Sequence, residues 1–560
     1  MKSPDKTQSK RQKPKKKQAV PLHPESMSDT PSGEAALREI IADQSAVIQE
    51  KEQSILSKND IIDQKSVVID SLKDRVAALE EYLRLERARS YGRSSEKHPG
   101  QGHLFDEVEL EGSQDNAEEA LTSDDEPGAS EPKKKTGNGG RKPLSPSIPR
   151  EQVHIKLSNE VKEGAIDTFF SVVKEELDIV PAKVRVIEYL QEKAVFSTTD
   201  QDNNTKRKII NAPLPKHPLQ GSIGSVGLLA YIIVAKYCDG LPLYRLENIL
   251  QRYGGSITRT TMANWMIRLS VELQPLTNLM REHQLSHNYL QADETRIQVL
   301  KEPDKAITSD KYMWVTLGGP PNQPAILFDY DPSRSKAVPL RLMEGFSGYL
   351  QTDGYAGYDA ACVAYNITHL GCMDHLRRKF TDAQKAQPKK ARKGALSKAD
   401  IAINKLQKLY GIEQSIKHLS SGEKYDARQK RSVPALEDFK NWVDKNSPKI
   451  PSDSLTGKAF GYAINQWPKL IRYCDDGDLH ISNIRAENAI RPFVIGRKNW
   501  LFADTPKGAR ASATLYSLVE TAKANGIEPY EYFRVMLARL AYAGNVEDFE
   551  KLLPWNIDLK

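Results

Sequence analysis

The sequence predicts a mixed α/β (α+β) fold whose core is divided by a large helical insertion and is preceded by a coiled coil and a helical region. Three patterns indicate this arrangement. An apolar residue recurs at every seventh position through residues 34–90. Short segments of strand pattern alternate with helical segments through residues 285–386. A longer helical stretch, residues 387–475, then separates these segments from a last part of the core.

Charge is unevenly distributed along the chain. The 560 residues include 81 Lys and Arg against 74 Asp and Glu, which leaves a formal net charge of +7. Residues 1–33 are rich in Lys, Pro, Ser and Gln and are expected to be a disordered basic tail, whereas residues 91–149 are expected to be a flexible acidic linker. A basic tail of this kind either binds the phosphates of nucleic acid or only increases solubility.

The cysteines and the apolar runs exclude several classes of protein. Cys238, Cys362, Cys372 and Cys474 are scattered and form no CxxC pair, so neither a disulfide framework nor a zinc finger is expected. No apolar signal-peptide segment follows the basic N-terminus, and no apolar run is long enough to span a bilayer. These observations predict a cytoplasmic protein with no membrane partner.

Residues 34–90 are predicted to form a coiled coil. The main apolar column of the repeat consists of Ile41, Ile48, Ile55, Ile62, Ile69, Val76 and Leu83. Because a strict seven-residue repeat drifts around a straight isolated helix, its persistence favours a supercoiled partner. The paired column is polar at its centre, where it contains Gln44, Lys51, Lys58 and Lys65. We therefore expect a homo-oligomer through this segment; an intramolecular helical hairpin and a solvated helix are the alternatives.

Two smaller regions precede the core. Residues 150–215 suggest a small module with strands at Glu176–Val180 and Val184–Leu190. Residues 222–280 suggest helices at Val226–Tyr237 and Leu243–Tyr253, and Thr258 can cap a third helix. Gly254 and Gly255 form a turn before this third helix, which is rich in Arg, Thr and Asn. A glycine turn followed by such a helix is similar to a helix-turn-helix. On that interpretation the third helix would contact DNA through Arg259, Asn264 and Arg268; packing in an ordinary helical bundle is the alternative.

Residues 285–386 predict the first part of the core. The predicted strands are Asn288–Leu300, Lys311–Leu317, Ala325–Tyr330, Gly348–Thr352 and His369–Cys372, with helices at Ser335–Met343 and His375–Gln384. Asp293 lies on an otherwise apolar face of the first strand, where burial is costly unless a cation compensates the charge. Asp353 follows the fourth strand. This order of elements matches a ribonuclease H-like fold, which has acids at these two places.

The rest of the chain completes the core. Residues 387–475 are predicted to be a helical insertion that clamps DNA, shapes a dimer or only presents a solvated face. Residues 476–513 are the last, acid-bearing part of the core, and residues 514–560 are a C-terminal helical region. Within the acid-bearing part, Ser482 or Asn483 can cap a short helix that carries Glu487 and Arg491 on one face. A lone carboxylate among basic side chains suggests metal-assisted chemistry on a polyanion; an ordinary Glu–Arg pair is the alternative.

The same stretch closely resembles the C-terminal signature of the IS66 family of bacterial insertion-sequence transposases. The resemblance lies in Asn483, Ala486, Glu487 and the run IRPFVIGRKNW from Ile490 to Trp500. The DET at Asp293, the TDGYAGYD around Asp353 and the GCMDHLRRKF from Gly371 to Phe380 also resemble this family. The resemblance implies that Asp293, Asp353 and Glu487 form a DDE triad that binds Mg²⁺, for which Mn²⁺ may substitute.

The resemblance also implies roles around the triad. His375 and Asn483 would support it, and the expected DNA contacts are Arg491, Arg497, Lys498, Arg377, Arg378 and Lys379. The segment VPAKVRVIEYL, residues 180–190, resembles part of a small zinc-binding domain of this family, but no cysteine occurs between residues 1 and 237. Cys372 and His375 form a CxxH without a second ligand pair. No zinc is therefore expected.

The implied reaction is hydrolysis of DNA at the ends of the element, followed by strand transfer into target DNA. The implied partners are the terminal repeats, the target DNA, a second copy of the chain and accessory proteins of the element. Three alternatives stay open: a catalytically inactive or domesticated DNA-binding descendant, another ribonuclease H-like nuclease such as a resolvase or integrase, and a structural coiled-coil scaffold.

Overall fold

One long helix, α1 (Glu34–Tyr91), begins the part of the chain that the computed structural model describes, which is residues 33–91, 170–171, 184–199, 205–387 and 396–559. The chain divides into two compact units, Met1–Glu80 and Glu81–Lys560. In the first unit the apolar column from Ile41 to Val76 is 50% to 60% exposed at every member. The predicted helix is confirmed, while its pairing in a coiled coil stays a prediction. The predicted basic tail and acidic linker lie outside the described residues, apart from Gly33 and Tyr91.

A two-stranded hairpin follows, and it corrects one prediction. β1 (Lys193–Thr199) pairs antiparallel with β2 (Thr205–Asn211). The strand predicted at Val184–Leu190 is wrong, because residues 184–192 have no regular secondary structure. Residues 184–190 are rich in apolar and β-branched side chains, but no neighbouring strand among the described residues pairs with them. β1 and β2 are close in sequence and pair with each other. The other predicted strand, Glu176–Val180, lies outside the described residues.

Four helices lead into the core, and three of them were predicted. They are α2 (Val226–Tyr237), α3 (Leu243–Arg252), α4 (Arg259–Glu272) and α5 (Gln274–Leu285). The Thr258 side chain accepts a hydrogen bond from the backbone N–H of Thr261, so the predicted cap of α4 is confirmed. Pro242 directly precedes α3, where its missing N–H costs no helical hydrogen bond.

A five-stranded mixed sheet forms the centre of the second unit. Its strands are β3 (Tyr289–Ile297), β4 (Lys311–Gly318), β5 (Ala325–Asp331), β6 (Tyr349–Gln351) and β7 (Thr368–Leu370), in the spatial order β5-β4-β3-β6-β7. The first three form an antiparallel meander, while β6 pairs parallel with β3 and β7 pairs parallel with β6. Two short helices, α6 (Ala337–Leu342) and α7 (Asp359–Ala364), connect these strands.

The remaining elements are helical. After α8 (Met373–Lys385), the insertion contains α9 (Lys398–Ser415), α10 (Ser421–Ala427), α11 (Val433–Asn446) and α12 (Leu455–Leu470). The chain then continues through α13 (Ile484–Trp500), α14 (Pro506–Ala524), α15 (Pro529–Leu540) and α16 (Val546–Glu550). Among the described residues, no helix combines the length and the apolar character needed to cross a membrane.

Three apolar clusters organise the second unit around the sheet. One joins α2–α5 and α13–α15 to one face of β4 and β5, and a second places α6 and α7 against the opposite face. The third is formed by α8 and the insertion helices α9, α11 and α12. The edge strand β5 is covered by α14, because Thr521 and Ser517 accept hydrogen bonds from the backbone N–H groups of Ile326 and Phe328 at 2.9 Å and 2.8 Å.

Helix α13 is longer than predicted. The sequence suggested a short helix that carries Glu487 and Arg491, but α13 continues through Pro492 to Trp500. A proline inside a helix removes one backbone hydrogen bond and costs roughly 3 kcal/mol. Phe493, which is fully buried, and its buried neighbour Ile490 pack into the first cluster on either side of the proline. This burial offsets the cost and holds the helix across the sheet.

Candidate active site

Asp293 and Asp353 lie at the same level of two neighbouring parallel strands. β3 and β6 run parallel, and Gln291 on β3 stands opposite Gln351 on β6. Each aspartate lies two residues beyond this pair, Asp293 within β3 and Asp353 just after β6. Parallel neighbours place equivalent positions at the same level of a sheet, so the fold brings these two predicted residues together.

Glu487 reaches the site from the first turn of α13. This helix packs against β3 and β4, on the side of the sheet where Asp293 lies. Burial and the neighbouring charges of Asp374 and Asp353 raise the pKa of Glu487, against the opposing effect of Arg378. The charge of Asp353, at the end of β6, therefore acts on Glu487 in the first turn of α13.

The carboxyl of Asp293 is the most perturbed of the three. Burial raises its pKa well above the usual range, and the negative charges of Glu294, Glu487 and Asp353 add to this effect. The backbone N–H of Glu294 donates a hydrogen bond to Asp293 Oδ1 at 2.9 Å. All three predicted acids thus lie within electrostatic range of one another.

Two buried glutamines position these segments, and the sequence interpretation did not identify them. Gln291 Nε2 donates to Gln351 Oε1 at 2.8 Å and to the carbonyl of Ser482 at 3.1 Å. Gln291 Oε1 accepts from the backbone N–H of Ala486 at 3.3 Å. Gln351 Nε2 donates to the carbonyl of His480 at 2.7 Å. The side chains of β3 and β6 therefore fix the start of α13, and with it the position of Glu487.

A second unpredicted network lies on the other face of β3. Glu294 is buried and accepts hydrogen bonds from Arg334 at 2.5 Å and from Tyr358 at 2.8 Å. Arg334 also stacks on the ring of Tyr355, with 3.9 Å between the guanidinium carbon and the ring centroid. The backbone N–H of Tyr355 donates to Asp353 Oδ1 at 2.9 Å. This network connects the residue after Asp293 to the turn that carries Asp353.

His369 supports the same turn. One ring nitrogen, Nε2, lies 2.8 Å from Thr352 Oγ1, and Nδ1 lies 3.1 Å from Asp359 Oδ1. Burial lowers the pKa of His369 to about 4, so the ring is neutral at physiological pH. Thr352 Oγ1 in turn accepts from the backbone N–H of Gly354, which has a φ of +91° that favours glycine.

The predicted supporting residues His375 and Asn483 lie beside Glu487. His375 Nδ1 is 3.6 Å from Glu487 Oε1, and Arg378 lies 3.4 Å from Glu487 Oε2. Asn483 is the residue that begins α13, but its side chain makes no capping hydrogen bond. The cap that was predicted for Asn483 is therefore wrong. The amide of Asn483 is fully buried and forms no hydrogen bond among the described residues.

The predicted DNA contacts lie in two places. Arg378 and Lys379 are exposed on α8, while Arg377 contacts the ring of Tyr410. On α13, Lys498 is exposed, Arg491 is partly buried, and Arg497 donates to Thr295 Oγ1 on β3 at 3.3 Å. The residues predicted on α4, which are Arg259, Asn264 and Arg268, are all exposed, and Arg268 donates to the carbonyl of Gln220 at 2.9 Å. The α4 residues belong to a different helix from those around Glu487.

The donor set formed by Asp293, Asp353 and Glu487 fits a hard divalent cation. Carboxylate oxygens are the ligands that Mg²⁺ and Mn²⁺ prefer. Burial raises the pKa of both Asp293 and Glu487, and the charge of Asp353 adds to this effect at each of them. A bound cation would neutralise such a concentration of negative charge. Glu487 Oε1 is buried and has no hydrogen-bond partner among the described residues, which leaves it available as a ligand.

Comparison with known protein families matches most of the second unit. A family model described as "Transposase IS66 family" matches residues 221–511, which include all three acids. A model described as "IS66 C-terminal element" matches residues 517–555. A third, described as "Transposase C of IS166 homeodomain", matches residues 78–153.

Similar chains occur in Sinorhizobium fredii (strain NBRC 101917 / NGR234). The protein named "Uncharacterized protein y4qI" is 32% identical over 394 residues, which cover 68% of this chain and 70% of that protein. The protein named "Uncharacterized protein y4jD" is 28% identical over 428 residues, which cover 74% of this chain and 81% of that protein. The similarity therefore extends over about three quarters of a chain of comparable length.

Proposed function

The chain belongs to the transposase IS66 family, and we propose that it is a DDE transposase that cleaves DNA at the ends of an insertion sequence and transfers the strands to target DNA. The observation that carries this proposal is the convergence of Asp293, Asp353 and Glu487, which come from two neighbouring strands and a helix. Metal-dependent phosphoryl transfer requires these three carboxylates to lie near one another, because they bind the same metal centre. A sequence signature by itself does not require this proximity.

The arrangement of the core supports assignment to the ribonuclease H-like fold. An antiparallel meander of three strands is followed by two further strands that run parallel to the first, in the order β5-β4-β3-β6-β7. The first acid lies on the central strand, and the second follows the strand beside it. On this assignment, α9–α12 are an insertion between the second and third acids.

Asp293, Asp353 and Glu487 would hold Mg²⁺, and Mn²⁺ may substitute for it. The bound metal would lower the pKa of an attacking water or 3′-hydroxyl and stabilise the charge that develops on the leaving 3′ oxygen. The chain's own residues orient this centre. Gln291 and Gln351 bond the two strands to each other and to the start of α13, and these bonds would hold the segments that carry the three carboxylates in place before DNA binds.

Basic side chains near Glu487 would position the phosphates of DNA. Arg378 lies 3.4 Å from Glu487 and is more than half exposed, so it can contact both the acid and a bound strand. Lys379 on the same helix and Lys498 on α13 are also exposed. Such contacts set register and orientation but carry no sequence information, so recognition of the element ends is assigned to other parts of the chain.

We assign end recognition to α4 and the region before the core, and oligomerisation to α1. Arg259, Asn264 and Arg268 lie on the exposed side of α4, where they are accessible to a DNA groove. The match of residues 78–153 to a homeodomain model supports DNA binding by the region that follows the coiled coil. Pairing of α1 between two chains would bring two element ends together.

Cleavage of labelled DNA that carries the sequences flanking the gene tests the proposal. Wild type is expected to nick the ends with Mg²⁺ or Mn²⁺ and to form joined product. Glu487→Gln is expected to lower the rate more than about 100-fold, because even an outer partner of a metal ligand is worth 10- to 100-fold. The matched control is Glu531→Gln, which removes an exposed acid from the first turn of α15.

The outcomes separate the alternatives. Activity that depends on metal and on Glu487, but not on Glu531, is the result that the proposal requires. Specific binding to the ends by wild type, with no cleavage under any metal or accessory-protein condition, would instead assign a DNA-binding role without catalysis. Equal cleavage by Glu487→Gln and Glu531→Gln would refute the triad.

A further inference from the structure

Cys372, His375 and Glu487 form a second group of potential metal ligands beside the three acids. One ligand atom from each of these residues lies within 4.8 Å of the other two. Cys372 and His375 come from the start of α8, and Glu487 comes from the start of α13. The fold therefore supplies the third ligand that the CxxH lacks in the sequence.

Buried polar atoms without partners converge at this group. His375 Nδ1 and Glu487 Oε1 are both buried and form no hydrogen bond among the described residues. Their separation of 3.6 Å is too long for a hydrogen bond but suits two atoms bound to the same cation. The Asn483 amide, fully buried one turn before Glu487, is also unpartnered within the described part of the chain. Buried polar atoms normally have hydrogen-bond or metal partners, so several unpartnered ones that face the same point are the arrangement expected of a ligand site.

The donor set differs from that of the three acids. A thiolate, an imidazole nitrogen and a carboxylate oxygen favour Zn²⁺, which takes such mixed ligands, over Mg²⁺, which prefers oxygen. Burial and the charges of Asp374 and Glu487 raise the pKa of the Cys372 thiol, and hydrogen bonds from the backbone of Asn483 and His375 to the sulfur oppose this effect. Metal binding would therefore displace the thiol proton. The side chain of Cys372 is fully buried, so this thiol is not available to bulky oxidants.

We propose that Cys372, His375 and Glu487 bind a single thiophilic divalent cation, Zn²⁺ being the best fit, at a site chemically distinct from the three-carboxylate centre. The three side chains supply three ligands and leave the fourth position of a tetrahedral ion to water or to a phosphate oxygen. Glu487 belongs to both groups. Zinc at this site therefore fixes the orientation of the third acid of the proposed triad.

Zinc binding by the full-length chain tests this site. The protein is stripped with a chelator, dialysed against Zn²⁺ with excess Mg²⁺ present, and assayed for zinc per chain. Wild type is expected to retain one equivalent. Cys372→Ser and His375→Ala are expected to lose at least about 10-fold in zinc affinity, since even the loss of a residue that only bonds a metal ligand costs that much. Cys362→Ser, which removes another buried thiol outside the group, is the matched control and should bind like wild type.

Cobalt substitution adds a readout that a structural role alone would not produce. Co²⁺ bound to wild type should show a sulfur-to-metal charge-transfer band that persists in Cys362→Ser and disappears in Cys372→Ser. If Cys372→Ser does not fold, as judged by circular dichroism, the wild-type band and His375→Ala still decide the question. Absence of bound zinc and of the band in wild type, or unchanged affinity in His375→Ala, would overturn the proposal. These measurements use no DNA, so they are independent of transposase activity.

Discussion

At the scale of single residues, Glu487 has two sets of neighbours. On one side are Asp293 and Asp353: beyond the effect of burial, the charge of Glu487 raises the pKa of Asp293, and the charge of Asp353 raises the pKa of Glu487. On the other side are His375 and Arg378, at 3.6 Å and 3.4 Å. Without a metal, the negative charges of the two aspartates repel the Glu487 carboxylate and Arg378 attracts it, so its orientation depends on the cations bound at the two proposed sites. This balance makes Glu487 the residue through which both proposed sites can be probed.

The buried glutamines provide a test of positioning. Replacing Gln351 by Leu leaves the carbonyls of His480 and Gly371 without their donor, and we expect the free energy of unfolding to fall by about 2 to 4 kcal/mol. The matched control is Gln284→Leu, since Gln284 is equally buried and bonds the carbonyls of Thr316 on β4 and Ala325 on β5, away from the strand β6 that carries Gln351. Chemical denaturation should show a similar loss of stability in both variants.

Only Gln351→Leu should also lower DNA cleavage when both variants are assayed while fully folded. Equal cleavage by the two variants would show that the glutamine pair stabilises the sheet without positioning the acids.

The roles of these two glutamines could not be predicted from the sequence. Each stands in a strand pattern as an ordinary polar residue, and its partners lie far away along the chain; Gln291 and Ser482 are 191 residues apart. Asp293 and Asp353 could be identified because acids on apolar strands are unusual and a family motif surrounds them. A buried amide has neither signal, because its role depends on carbonyl groups that only the folded chain brings near.

The half-buried Lys236 provides a prediction for the pH dependence of stability. Burial lowers the pKa of Lys236 from 10.5 to about 8, and its ammonium lies over the rings of Tyr237 and Trp500. Below pH 8 the folded state carries the desolvated charge, so Lys236→Met should be more stable than wild type by about 1 to 2 kcal/mol at pH 7.

Between pH 8 and 10.5 the unfolded chain binds a proton that the folded chain does not, so wild type gains stability and the difference shrinks. Thermal unfolding across this range measures the effect. A difference that stays constant with pH would assign the gain to packing alone.

At the scale of elements, local signals predicted most helices and strands. The cap at Thr258 and the meander β3–β5 follow from short-range patterns, and the structure has them where the sequence indicated. The failures come from tertiary context. Residues 184–190 have strand composition but no described partner strand, and α13 continues through Pro492 because burial of Phe493 outweighs the proline.

The exposed apolar column of α1 leads to a prediction about assembly. Ile55→Asp with Ile62→Asp places two charges in this column, where pairing with another helix would bury them, so we expect a shift to a smaller species. Ser57→Asp with Gln64→Asp is the matched control, because these positions lie outside the apolar columns of the repeat. Light scattering coupled to size-exclusion chromatography measures the mass. Identical masses for the two double variants would contradict a coiled coil formed through this column.

At the scale of the whole molecule, the proposed centre is assembled from three distant segments. β3, the turn after β6 and the start of α13 meet where β6 ends. In the sequence, the helical insertion lies between β6 and α13. The third apolar cluster of α8, α9, α11 and α12 holds this insertion next to the site, since α8 carries His375 and Arg378. Folding of the insertion and assembly of the centre are therefore linked through α8.

Metal rescue at Asp353 tests the central claim most directly, namely that these carboxylates bind the metal that catalyses DNA cleavage. Asp353→Cys replaces an oxygen ligand by sulfur, which binds Mg²⁺ poorly but accepts softer ions such as Mn²⁺ more readily. We predict that cleavage by Asp353→Cys is lost with Mg²⁺ and partly restored with Mn²⁺, while Asp353→Asn is inactive with both. Cleavage by Asp353→Asn with Mg²⁺ at a rate similar to wild type, or failure of Mn²⁺ to restore the folded cysteine variant, would contradict direct coordination by Asp353.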